Sequence, residues 1–144
     1  LPYNRPKLCP NASWNPNGTT IANQSIVGVE PYSLFIDTNN ALYAAARSLN
    51  RIVVLANGSP NVSQVINGTF QLPNSVFVTK NGDLYIDNGR ISGRVDLRQR
   101  RNTSAPIVTM VVNDTCFSLF VDANDDLYCS TDFGHQVLKR TLYQ

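Results

Sequence analysis

The sequence predicts an all-β fold built from repeated four-stranded units, and three observations lead to that expectation. A short pattern occurs three times: Leu34-Phe35-Ile36-Asp37 with Leu42-Tyr43, Val76-Phe77-Val78-Thr79 with Leu84-Tyr85, and Leu119-Phe120-Val121-Asp122 with Leu127-Tyr128. In every copy the Phe precedes the Tyr by 8 residues. The copies recur at roughly 42 residues, the period of a four-stranded propeller blade. Runs rich in Val, Ile, Leu, Phe and Tyr alternate at short spacings with Asn, Gly, Asp and Ser, which is strand and turn chemistry. No stretch combines a sustained helical period with caps. The expected architecture is therefore β-propeller-like.

Residues 1–30 form an N-terminal segment, rich in Asn and Pro from Asn11 to Asn17. It contains a β-prone run, Gly18-Thr19-Thr20-Ile21-Ala22, expected to be a strand. The first repeat, about 31–71, predicts strands near Ser33-Asp37, Ala41-Ala45, Arg51-Leu55 and Ser63-Ile66. The second, about 72–115, predicts them near Ser75-Thr79, Asp83-Asp87, Gly93-Leu97 and Ile107-Val112. The third, about 116–144, supplies Phe117-Val121, Asp126-Ser130 and Gln136-Leu142 and has no outermost strand. The run at 18–22 is expected to complete that last blade, in cis or in a neighbouring chain. Within the repeats Asn81-Gly82 predicts a type I′ hairpin turn, and Asn39-Asn40 and Asn124-Asp125 tolerate the left-handed backbone such turns use.

A third element lies in register with the Phe and Tyr: Asn50-Arg51-Ile52-Val53, Gly93-Arg94-Val95-Asp96 and His135-Gln136-Val137-Leu138. With it, the repeats resemble the NHL repeat of β-propeller proteins over about residues 31 to 144. The family often carries Asp shortly after the Tyr, where this chain has Ala46, Asn88 and Thr131. The resemblance implies a six-bladed ring, of which three repeats are half. A closed ring needs at least four blades, so three expectations stand: a fragment of a longer chain, a half-ring that dimerises, or an open unit that adds head to tail.

Eight Asn-x-Ser/Thr acceptors stand at Asn11, Asn17, Asn23, Asn57, Asn61, Asn67, Asn102 and Asn113. Shuffling the same residues would produce roughly two or three, so the excess points to a secretory, glycosylating pathway and an extracellular protein. All lie outside the first two strands of each repeat, where a glycan would collide with the crowded propeller centre. The opening Leu1-Pro2-Tyr3 suits a mature chain after signal cleavage. Of 3 cysteines, Cys116 and Cys129 fall on adjacent strands of the third repeat and are expected to pair, leaving Cys9 free or intermolecular.

A net charge of +2 and a charged fraction of 15% advertise neither nucleic acid nor an anionic membrane. No apolar run is long enough for a membrane-spanning helix. Some secreted six-bladed relatives of NHL proteins are lyases or lactonases that hold metal through His and acidic residues. Here the sole histidine, His135, is expected to be structural. Asp122-Ala123-Asn124-Asp125-Asp126 has residue types of a calcium loop but matches a plain hairpin turn in the other repeats. Arg90, Arg94, Arg98, Arg100 and Arg101 concentrate basic charge that is expected to be solvated, with contact to acidic glycans, or processing at Arg100-Arg101, as alternatives. No nucleophile elbow, phosphate loop or zinc motif occurs, so no catalytic or metal-ligating residue is assigned and no cofactor is expected. The expected function is a structural or adhesive module that self-associates by strand complementation, with a fibril as one expected form. The alternative is one half of a ligand-binding or lyase-like propeller.

Overall fold

A computed structural model describes residues 9–57, 59–101 and 105–142. They form three antiparallel sheets arranged as successive propeller blades. Blade 1 contains β1 (Pro31–Ile36), β2 (Leu42–Ala46), β3 (Arg51–Leu55) and β4 (Val62–Asn67), in that spatial order. Blade 2 contains β5 (Val76–Val78), β6 (Leu84–Asp87), β7 (Arg94–Arg98) and β8 (Ile107–Val111). Blade 3 has β9 (Cys116–Val121), β10 (Asp126–Thr131) and β11 (Val137–Thr141), and among the described residues nothing pairs with the outer edge of β11.

Strand alternation gives each blade two unlike faces. The Phe and Tyr of the repeat are cross-strand partners, Phe35 with Tyr43, Phe77 with Tyr85 and Phe120 with Tyr128, so they share one face. We call this the forward face, because in blades 1 and 2 it packs on the following blade. The apolar residues flanking each Phe occupy the rear face. Thus Phe35, Tyr43, Ala45, Ile52 and Val54 of blade 1 meet Val76, Val78, Leu84 and Ile86 of blade 2. One blade further, Phe77, Tyr85, Val95 and Met110 meet Leu119, Val121, Leu127 and Cys129. The three Phe rings form an edge-on ladder, with centroids 4.9 Å apart for Phe35–Phe77 and 5.5 Å for Phe77–Phe120.

The run Gly18–Ala22 is not a strand within this chain; residues 18–21 are exposed coil. A strand requires a ladder partner, and here the segment instead enters a one-turn helix, α1 (Gln24–Val27). Asn23 caps it, its side-chain oxygen accepting from the Ser25 N–H at 3.1 Å. Ala22 and Ile26 then cover Ala46, Val53 and Leu55 on the rear face of blade 1. A second short helix, α2 (Gly89–Ser92), and a 3-10 turn, Arg47–Leu49, join the second and third strands of their blades. Single turns are too short to leave a periodic signature in sequence.

The hairpins also differ from the expected type I′ turn, which needs positive φ at both central residues. Of the pairs expected there, only Asn40, Gly82 and Asp125 have it, at 58°, 85° and 59°. Each loop has three residues and an i to i+3 hydrogen bond, as in Gly82 N–H to Thr79 O at 2.9 Å, followed by a left-handed residue. Asp37, Thr79 and Asp122 set this geometry by accepting the amides of Ala41, Asp83 and Asp126 on their side chains. The third repeated element has an equally local cause. Asn50, Gly93 and His135 all take positive φ, at 50°, 54° and 49°, where the link from the second strand turns into the third.

Gly89 shows the tightest backbone constraint, with φ 72° and a would-be Cβ only 1.7 Å from the Gln71 carbonyl oxygen. Gly89→Ala is expected to destabilise the fold by roughly 3 kcal/mol or more, since left-handed strain and a backbone clash add. Thermal unfolding checks this: a melting temperature within a degree or two of wild type contradicts the assignment.

Candidate functional site

All seven described acceptor asparagines are exposed: Asn11, Asn17, Asn23, Asn57, Asn61, Asn67 and Asn113. Asn102 lies outside the described residues. Asn67 ends an outermost strand and Asn61 immediately precedes it, while none of the seven lies on an inner strand. Attached sugars would therefore stand away from the blade junctions. Cys116 and Cys129 form a disulfide between β9 and β10, both side chains buried against blade 2. Cys9 is an exposed free thiol.

Polar groups tie the blades together where the aromatic faces meet. The Val76 N–H donates to Ser33 Oγ at 3.3 Å, and Ser75 Oγ donates to the Cys116 carbonyl at 2.6 Å. Asp87 binds blade 2 to blade 3 most fully. Its Oδ1 accepts the Cys116 N–H at 3.1 Å, and its Oδ2 accepts from Asn74 N, Asn74 Nδ2 and Gly89 N at 3.1, 3.2 and 3.2 Å. Next to it, Asn88 accepts the Gln71 N–H at 3.1 Å and donates to Asp96 at 2.6 Å. The three positions following the repeat Tyr thus diverge: Asn88 bonds both ways, Thr131 Oγ1 accepts the Gln136 N–H, and Ala46 packs under α1. Asp87 was not singled out from sequence. Its signal is a carboxylate placed inside an otherwise apolar strand, Leu84-Tyr85-Ile86-Asp87.

A polar cleft of about 430 Å³ opens between blades 1 and 2, lined by Asp37, Tyr43, Gln64, Lys80, Arg98 and Arg100 among others. The Asp37 carboxylate there accepts the amides of Asn39 and Ala41 and the Tyr43 hydroxyl. The five arginines are not one patch. Arg94 pairs with Asp96 at 3.0 Å, Arg90 stacks on Phe133 at 4.0 Å, and Arg98 and Arg100 line the cleft. Arg101 is exposed in the turn that follows.

His135 is exposed at its left-handed turn position, its N–H donating to Asp132. Asp122 uses one carboxylate oxygen for the Asn124 and Asp126 amides and the other for the Tyr128 hydroxyl. Those amide bonds hold its carboxyl below the usual range. This is the turn geometry of Asp37 in the first repeat. Among the described residues, no three His, Cys, Asp or Glu side chains converge as metal ligands, and no helix is long and apolar enough to cross a membrane.

Among the described residues nothing pairs with the outer edge of β11, and the forward face of blade 3 carries the exposed Phe120 beside Tyr128. At the N-terminal end, Leu34 and Ile36 are exposed on the rear face of blade 1, next to the part covered by Ala22 and Ile26.

These features define a β-propeller-like unit of three blades, the third with three strands among the described residues. Among solved structures it is similar to the Kuenenia stuttgartiensis hydrazine synthase, with a TM-score of 0.59 and 16% identity. The match covers 70% of this chain but only 29% of that one, and at this identity the likeness concerns the fold. No protein-family model matches the sequence, and no curated protein does.

The Asp87 node makes stability depend on pH. Burial pushes its carboxyl up from 3.8 to about 6, against the opposing pull of the N–H donors. Folded protein therefore holds a proton that unfolded protein has released between those values. The stability that Asp87 contributes should be fully present below the lower value and be lost as pH rises through about 6, by on the order of 2–3 kcal/mol. Urea unfolding from pH 4 to 7 measures it. Asp87→Asn should flatten this segment, and an unchanged slope in that variant assigns the dependence elsewhere.

Proposed function

We propose that the chain is a secreted, N-glycosylated NHL-type propeller module whose role is structural or adhesive, and that it self-associates by strand complementation. The observation that carries this reading is the third blade, which among the described residues has three strands where blades 1 and 2 have four. A sheet edge with unpaired amides and carbonyls is a template for an extended segment from another chain. Residues 18–21 suit that segment: they are exposed, β-prone and without regular structure of their own. Because donor and acceptor are different surfaces of one chain, the contact is heterologous and propagates into a filament unless its rotation closes a ring.

Eight acceptor triplets support passage through a glycosylating compartment, and the exposure of the seven described asparagines is compatible with their modification. Glycans around the perimeter would also discourage promiscuous pairing at strand edges. Cys9, exposed on the same N-terminal segment as the donor run, would lock a neighbouring chain covalently.

Electron microscopy of the native glycosylated, non-reduced protein should show regular filaments, and removal of residues 1–21 should abolish them. A truncated chain that still assembles as wild type would rule out donation by this segment. Intact mass before and after enzymatic release of N-glycans should differ by several glycan masses. An unmodified mass would remove the secretory part of the proposal.

A further inference from the structure

The cleft between blades 1 and 2 carries a charge imbalance that the repeat does not impose. Its basic groups, Lys80, Arg98 and Arg100, all come from blade 2, and the one carboxylate among its lining residues is Asp37 of blade 1. That carboxylate is engaged by its own turn and by Tyr43. The ion pairs among the described residues are Arg47–Glu30, Arg94–Asp96 and Lys139–Asp126, so none of the cleft cations is paired with a carboxylate. The equivalent positions of the other blades show that the excess is local. Arg98 stands opposite Leu84, where blade 1 has Leu55 opposite Leu42 and blade 3 has Arg140 opposite Leu127. Two residues on, Arg100 corresponds to Asn57 and Leu142. In the turn, Thr79 and Lys80 take the places of Asp37 and Thr38 in blade 1 and of Asp122 and Ala123 in blade 3. Compared with blade 3, blade 2 gains two cations here and loses one carboxylate.

Two of the cations are held by the fold itself. Arg98 lies over the buried Phe70 ring, 5.6 Å from its centroid. Arg100 is anchored through its backbone N–H, which donates to Asp83 Oδ1 at 2.8 Å. Its side chain closes against Gly82, where an added Cβ would meet Arg100 Cδ at 2.6 Å. Guanidinium groups grip the paired oxygens of carboxylate and sulfate. Around them Thr38, Thr79, Asn39 and Gln64 present hydroxyls and amides that both donate and accept, as sugar hydroxyls require. The volume of about 430 Å³ is that of a small-molecule site, and its mostly polar lining suits a hydroxyl-rich ligand over an apolar one. From this arrangement we infer that the cleft binds an acidic saccharide, its carboxylate or sulfate on Arg98 and Arg100, with Lys80 adding charge and Gln64 and the turn of blade 1 taking the hydroxyls. Of the five arginines that raise acidic glycans as an alternative, the fold brings only Arg98 and Arg100 to the cleft, and it adds Lys80 to them. The inference goes beyond the structural role proposed above and does not depend on self-association.

Isothermal titration calorimetry of the full glycosylated chain tests it with a sulfated heparin disaccharide, an unsulfated hyaluronan disaccharide, lactose and sodium sulfate. At least one acidic disaccharide should bind with a dissociation constant of about 1 mM or tighter, and the stronger of the two distinguishes sulfate from carboxylate recognition. Arg98→Ala and Arg100→Ala should each weaken that binding about ten-fold or more, as expected for lost charge-assisted hydrogen bonds. Arg101→Ala, in the exposed turn outside the cleft, should leave it unchanged. Thermal unfolding like that of wild type is the folding control. Should Arg98→Ala fail it, because Arg98 also covers Phe70, the exposed Lys80→Ala takes its place beside Arg100→Ala. Binding of neither acidic disaccharide overturns the inference, and so does binding that the folded cleft variants leave intact. Lactose bound as tightly as the acidic probes refutes the role of the cations. Sodium sulfate bound as tightly as the disaccharides makes the cleft a simple anion site and refutes the saccharide.

Discussion

The structure depends on one constraint: a blade's forward face, carrying a cross-strand Phe and Tyr, must be buried on the apolar rear face of another blade. Burying each such aromatic ring contributes about 1.5–3 kcal/mol. A lone four-stranded sheet cannot obtain that stabilisation, because both of its faces would remain in water. Blade 2 has it on both sides, between Phe35 and Tyr43 of one neighbour and Leu119 and Val121 of the other. Blades 1 and 3 each have it on one side. The order of the blades, the position of the disulfide and the exposure of the two end faces follow from this polarity.

Directional stacking also explains how the molecule manages its ends. Repeat arrays need terminal surfaces that tolerate water or are covered. At the N-terminal end the cover is α1, with Ala22 and Ile26 over the outer half of blade 1. At the other end the solution is electrostatic, with Lys139 paired to Asp126 and lying over the Tyr128 ring at 5.7 Å. Neither cover reaches the first strand of its blade. Leu34 and Phe120 therefore remain exposed, at 66% and 54%.

The junctions gain specificity from polar groups that can be satisfied in only one arrangement. Asp87 collects amides from Asn74, Gly89 and Cys116, so the linker between blades, the helical turn after β6 and the first strand of blade 3 are positioned by one carboxylate. The buried disulfide fixes the same strand covalently. Most of these polar contacts lie between blades 2 and 3.

The eleven strands among the described residues, the three-repeat organisation and the Cys116–Cys129 bond were legible in the sequence, because each follows from local rules: alternation, turn residues and spacing. The turn type was not, since Asn81-Gly82 fits both a type I′ turn and the left-handed bulge that the Asp or Thr side chain at the loop entrance imposes. Gly18–Ala22 shows the limit more sharply. Its β propensity is real, but a strand exists only when a ladder partner is in reach, and among the described residues this run pairs with none. Asp87 was equally hidden, because burial is a property of which blades meet. The sequence by itself determined the elements and their repeat, which depend on near neighbours along the chain. Only the tertiary structure decided where the repeat stops being buried, because that depends on what stands opposite each face.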